Sequence, residues 1–102
     1  VNPYLSMAGL IKAMDHGLDA QLDPGPPEER NIYEAMKEGK DVKKIPMNLG
    51  EALDALRADE VIKSALPGDM FRVFEHYKRD EWERFMATVT DWDVDEYLDI
   101  LP

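Results

Sequence analysis

Two histidines sit in acidic company. His16 follows Asp15 and precedes Asp19, and His76 lies between Glu75 and Tyr77. A histidine with a carboxylate about one helical turn away has the chemistry of a general base or a metal ligand. A metal centre needs three or four converging ligands, and neither histidine has a second His or a Cys near it in sequence. Both are therefore expected on helix surfaces or ends. Asp91, Asp93 and Asp95 alternate in "DWDVDEYLDILP", the opening of a calcium loop. Such a loop requires Gly at its sixth position and Glu at its twelfth. Glu96 and Pro102 stand there instead, so the acids are expected to serve a helix N-terminus. No nucleophile elbow, phosphate-cradling glycine loop or His-Glu-x-x-His pattern occurs. Phe71, Phe74, Tyr77, Trp82 and Phe85 recur at helical spacing, which points to core packing before a ligand groove. By these residues the chain carries no assembled catalytic, cofactor or metal site.

The composition narrows the function classes further. The chain has 102 residues, 22 acidic side chains against 12 basic ones, and a net charge of −10. Such a balance repels phosphate backbones and anionic lipid, which argues against nucleic-acid and membrane partners. The chain has no cysteine, so thiolate chemistry and Cys-based metal sites are excluded. No apolar run approaches the ~20 residues that cross a bilayer. No basic segment precedes the apolar N-terminus as a signal peptide requires. A cytoplasmic setting is the default expectation.

The elements that would position these residues are helical. Asn2 and Pro3 are favoured as the cap and first residue of a helix. Tyr4, Met7, Ala8, Ile11, Met14, Leu18 and Leu22 follow at helical spacing. "DPGPPEER", residues 23–30, breaks that helix. Residues 31–46 read as one long surface loop. Asn48 with Glu51 resembles a capping box and opens a helix bearing Leu49, Leu53 and Leu56. Asp59 caps a short helix that Pro67 and Gly68 end. The longest helix spans about Asp69 to Thr88, with Glu75–Arg79 and Asp80–Arg84 expected as solvent-facing pairs. A last short helix is expected with Asp93 as its cap and Pro102 as its close. No segment alternates with a period of two. The expected fold class is mainly α, about five helices and one long loop.

The first helix poses a packing problem. Between Pro3 and Met14 only Ser6 and Lys12 are clearly polar. A helix apolar on nearly all sides needs burial on nearly all sides, and the remaining short helices cannot surround it. This suggests that part of the body lies outside the chain.

The ordered segments "NPYLSMAGLIKAMDHGL", "DPGPPEERNIYE", "IPMNLGEALDALRAD" and "VFEHYKRDEWERF" resemble the C-terminal quarter of the glutamine synthetase family. The resemblance covers Asn2 to about Phe85. It implies the C-terminal helical part of a larger α+β catalytic domain whose sheet and N-terminal domain are absent here. It also implies an ATP-dependent ligase that joins glutamate to ammonia or an amine through γ-glutamyl phosphate, with Mg2+ or Mn2+. Ring homo-oligomers and neighbouring subunits follow as partners. The family's metal-binding glutamates and phosphate-binding arginines lie upstream of "NPYL", so no catalytic, nucleotide or metal residue maps onto this chain. The chain alone is expected to be inactive and to self-associate through its bare N-terminal helix.

One family position does map. Tyr33 in "NIYE" holds the place of the adenylylated tyrosine of the regulated bacterial branch. Glu34, Ala35 and Met36 follow it, where that branch carries a "DLPPEE"-like run. The ending "TDWDVDEYLDILP" departs from ammonia-using bacterial members and is more like ligases that use methylamine or other amines. The rival expectation, from another class, is a free-standing acidic helical adaptor that binds a protein through the N-terminal helix.

Overall fold

The computed structural model describes residues 1–100. Six helices occur in the order α1 (Pro3–Asp19), α2 (Ile32–Lys37), α3 (Leu49–Ala58), α4 (Glu60–Lys63), α5 (Met70–Met86) and α6 (Asp91–Tyr97), with no strand among the described residues. The mainly helical expectation holds. Pro102, expected to close the last helix, lies outside the described residues.

Local chemistry explains the boundaries. The Asn2 Oδ1 accepts the N–H groups of Tyr4 at 3.0 Å and Leu5 at 3.3 Å, while Pro3 occupies the first helical position. At the other end Leu22 N–H reaches back to the Gly17 carbonyl at 3.0 Å, and Gln21 turns left-handed with φ 48°. This bonding pattern stops α1 and leaves Leu22 outside the stripe to which its spacing assigns it. Asp59 Oδ1 accepts from Val61 and Ile62, each at 3.0 Å, and opens α4 as its sequence predicts.

Three expectations need correction. Residues 31–46 are not one loop, because α2 lies within them. Asn31 Oδ1 accepts the Tyr33 N–H at 3.1 Å, and Gly39, at φ 69°, closes the far end with Lys40 N–H bonded to the Ala35 carbonyl. The last helix begins two residues before Asp93. Thr90 is its cap, and Asp93 answers from the third helical position, Oδ2 accepting the Thr90 N–H at 2.8 Å. Glu75 and Arg79 do not face solvent, since both turn toward α3 (below). Asp80–Arg84 is exposed as expected, at 2.9 Å.

Packing runs in an open series. α1 lies on α4, α4 on α3, and α3 on α5. Leu53 of α3 is only 2% exposed. α3 and α5 approach closely where Gly50 meets the Trp82 indole; a Cβ added at Gly50 would lie 2.6 Å from Trp82 Nε1. The radius of gyration is 18.9 Å. A self-contained domain of this length measures about 13 Å. Ala35 and Leu53 are the buried apolar residues among those described. The helices thus form a shell that lacks a core of its own.

Candidate functional site

The chemistry of this surface begins with what α1 leaves bare. None of its residues is buried, and Tyr4, Met7, Leu10, Ile11, Met14 and Leu18 are all more than half exposed. Burying one large apolar side chain is worth about 1.5–3 kcal/mol, so this face forgoes a stabilisation larger than most individual contacts in the chain. Beside it, α1 and α5 frame an open groove of about 480 Å³, lined by Leu5, Leu66, Met70, Val73, Phe74 and Tyr77. Asp69 stands at its edge. The lining is almost wholly apolar and offers shape and hydrophobicity, with no catalytic group.

An ionic frame sets α5 against α3 and so fixes one wall of that groove. Arg57 of α3 bonds Glu75 of α5, and Arg79 of α5 bonds Asp54 of α3 at 2.7 Å while reaching Glu75 at 3.5 Å. The Arg57 hydrogen bond, helped by the Arg57 and Arg79 charges, holds the Glu75 carboxyl below the usual carboxylate range against the opposing effect of desolvation. Asp54, then Glu75, holds the Arg79 guanidinium above its ordinary value. Glu75 retains 16% of its side-chain exposure and Arg79 23%, whereas Arg57 and Asp54 are largely in water. The frame is a half-wet clamp whose value is in aligning two helices.

The aromatic residues divide between these two features. Phe74 and Tyr77 line the groove, while Trp82 packs on Gly50 and stacks on Phe85 with ring centres 5.8 Å apart. Phe71 lies under the Lys63 ammonium, 5.3 Å from its ring centre. The core role assigned to them by spacing is therefore not met among the described residues: Phe71, Phe74 and Trp82 are half-buried, and Tyr77 and Phe85 are mostly exposed.

Tyr33 stands at the second position of α2 and is 80% exposed. The preceding turn is stiffened by Arg30, which forks onto Glu28 at 2.8 and 2.6 Å. The Arg30 side chain and then its N–H lower the Glu28 carboxyl to about 2. Both partners are in solvent, where screening leaves little net stabilisation. His16 and His76 are exposed on α1 and α5, and among the described residues no three His, Asp or Glu side chains converge to hold an ion. Asp93 is engaged by Thr90, which lowers its carboxyl through the Thr hydroxyl and then the Thr N–H.

Comparison with known proteins supplies the frame for this shell. Residues 1–97 match the glutamine synthetase catalytic domain. The chain belongs to the glutamine synthetase family. Within that family it is 44% identical over 101 residues to the glutamate–methylamine ligase of Methyloversatilis universalis, covering 96% of this chain and 23% of that protein. It is 39% identical over 100 residues to the glutamine synthetase of Thermus thermophilus, covering 95% of this chain and 22% of that one. Among solved structures it superposes on GmaS without ligand with a TM-score of 0.78 and 33% identity, over 97% of this chain and 23% of the other. The GmaS/ADP complex gives a TM-score of 0.80 at the same identity and coverage. The chain spans under a quarter of the length of these relatives, and its helices correspond to a C-terminal part of the larger catalytic domain. The open shape and the bare α1 face are properties of that part. No helix is long and apolar enough to cross a membrane among the described residues.

Missed by the sequence reading were α2 and the Arg57–Glu75 pair. The first had a signal in the Asn31 to Gly39 bracket, a cap residue and a left-handed glycine eight positions apart. The second had none, since residues 18 apart meet only once α3 and α5 are docked.

Proposed function

We propose that this chain is the C-terminal helical portion of an ATP-dependent ligase that makes a γ-glutamyl amide. In that reading the terminal phosphoryl group of ATP passes to the side-chain carboxylate of glutamate, and ADP leaves. The amine nitrogen then attacks the acyl carbon, phosphate departs and a proton is released. The portion described here supplies no side chain to either step. It braces the catalytic domain, with the α1 face and the α1–α5 groove filled by the rest of that domain, and with neighbouring ring subunits as further partners. Nucleotide and Mg2+ or Mn2+ would be held elsewhere in the whole enzyme, and the 102 residues alone are inactive.

The observation that carries the reading is the 44% identity to a glutamate–methylamine ligase across 96% of the chain. The helical shell with almost no core supports it from a different side, because such a shell is what remains when a sheet is left out. We rank methylamine and similar amines ahead of ammonia as acceptor, on the same relative and on the "TDWDVDEYLDILP" ending. Tyr33 is our candidate for a nucleotidylated position, supported by its exposure on a short solvent-facing helix. A cytoplasmic setting accords with this chemistry and with the absence of cysteine.

The test is ATP-dependent phosphate release by a polypeptide of the relatives' full length that contains these residues, with glutamate plus ammonium, methylamine or ethylamine in turn. The 102-residue chain runs alongside. Release that requires both glutamate and an amine is the expected result, greatest with methylamine. A folded, metal-loaded full-length protein that releases no phosphate with any amine would overturn the ligase reading and favour a helical adaptor.

A further inference from the structure

α3 and α4 meet at a single residue. Asp59 stands between them in an extended conformation, at φ −98°. Its N–H bonds the Leu56 carbonyl at 3.3 Å and ends α3, and its Oδ1 starts α4 on the N–H groups of Val61 and Ile62. Each of these bonds ties one helix to Asp59, and none ties one helix to the other. A one-residue joint leaves two soft dihedrals to set the angle between the helices. That angle matters beyond the corner, because α1 lies on α4 and α5 lies on α3. A Cβ added at Gly9 of α1 would meet Ile62 of α4 at 3.8 Å.

We propose that Lys63 is the positioning residue that locks this corner. Its Nζ donates to the Arg57 carbonyl at 3.3 Å, and among the described residues this is the hydrogen bond that crosses from α4 back to α3. That carbonyl belongs to the last turn of α3, where acceptors are unpaired and partial negative charge collects. The same ammonium bonds Glu60 of α4 and sits 5.3 Å from the centre of the Phe71 ring of α5. One side chain thus touches three helices, and it is only 23% exposed, although lysine is ordinarily left in water. Carbonyl, carboxylate and ring face are all partners that a positive charge attracts. Arg57 carries the lock onward, since its guanidinium bonds Glu75 of α5. The α1–α4 pair and the α3–α5 pair are therefore set against one another through Lys63 and Arg57, and with them the two walls of the groove. Both ends of every contact lie within the chain, so the lock does not depend on what covers α1. Nor does it depend on the ligase reading. In that reading it keeps in register the two surfaces on which the rest of the catalytic domain seats.

Amide hydrogen exchange tests the lock on a polypeptide of the relatives' full length that contains these residues. Activity is not read, so failure here is distinct from failure of the ligase reading. Lys63→Met keeps the length and the apolar stem and removes the charge, whereas Lys63→Arg keeps the charge. The N–H groups of residues 63–66 are bonded within α4 and the turn after it, and a helix of four residues cannot hold itself. In Lys63→Met these amides should exchange about tenfold faster, the scale of a lost bond to a charged group. Those of α5 from Phe74 to Met86 should hold their rates. Lys63→Arg should restore most of the protection. Phe71→Leu removes only the ring and should speed the same amides by about 2- to 5-fold, so it reads the lock even where Lys63→Met fails to fold. Unchanged exchange in Lys63→Met, acceleration spread equally over α3 and α5, Lys63→Arg as fast as Lys63→Met, or no acceleration in Phe71→Leu would each overturn the proposal.

Discussion

Gly50 and Trp82 meet so closely that the indole Nε1 takes up the space of the missing Cβ; an added carbon at residue 50 would stand 2.6 Å from it. No real Cβ contact is that short, so the α3–α5 approach depends on glycine here. Gly50→Ala would ordinarily favour a helix by close to 1 kcal/mol. Here the indole must move, and overpacking costs about 1–3 kcal/mol. The expected outcome is a net loss of stability with a red-shifted tryptophan emission as Trp82 is displaced. Thermal unfolding followed by fluorescence checks it, and a stabilised Gly50→Ala would show that the two helices do not meet there.

Leu53, about one turn on from Gly50 in α3, is the most buried apolar side chain of that helix. Leu53 is 2% exposed in a chain with very little core. Leu53→Ala is expected to cost about 2–5 kcal/mol, the range for truncating a buried leucine. The open shell can collapse around the gap more easily than a closed core, which argues for the lower end. Chemical denaturation of the two proteins measures the difference, and a change under 1 kcal/mol would place Leu53 outside the packing that holds α3.

Both of these residues were partly legible beforehand. The Leu49–Leu53–Leu56 stripe and the aromatic run on α5 announce two amphipathic helices, because a 3.6-residue period survives in any context. The caps of α1, α3 and α4 were legible as well, since Asn2, Asn48 and Asp59 act on N–H groups two or three residues away. The Arg57–Glu75 bond was not, because it spans two helices and depends on their docking. Nor was the partial covering of Glu75: its spacing to Arg79 is the same whether the pair faces water or a second helix. α6 shows a subtler failure. Three alternating aspartates drew attention to Asp93, yet the neutral Thr90 begins the helix and the acid only reciprocates.

The Glu75 clamp makes a signed prediction about pH. Its carboxyl is held below the ordinary value by Arg57 first and Arg79 after it. A carboxyl lowered on folding stabilises the fold fully above its unfolded value, near ~4.3, and that stabilisation is lost as pH falls through the folded value. The melting temperature should therefore be level from pH 7 to pH 5 in respect of this group and fall below pH 4. Glu75→Gln should lower it at pH 7 and reduce the drop below pH 4. An equal acid drop in both proteins would assign it to other carboxylates, of which Asp93, lowered by Thr90, is the next to test.

Tyr33 and Asn31 should behave oppositely, although they are two residues apart. Tyr33 is 80% exposed, and what ties the residue into α2 is its backbone N–H on Asn31 Oδ1 at 3.1 Å. Tyr33→Phe keeps that bond and the helical backbone, so stability should change by less than about 0.5 kcal/mol, as for other surface substitutions. Asn31→Ala removes the cap, typically worth about 1 kcal/mol, from a helix of six residues that has little else to hold it. Amide hydrogen exchange across residues 32–38 separates the two variants: protection should persist in Tyr33→Phe and fall in Asn31→Ala. Loss of protection in Tyr33→Phe would mean that the phenol anchors the segment, and a residue so engaged is a poor acceptor for a transferred nucleotidyl group. Retained protection leaves the hydroxyl free at the surface, the arrangement that a modifying enzyme needs in order to bring a phosphorus atom in line with it.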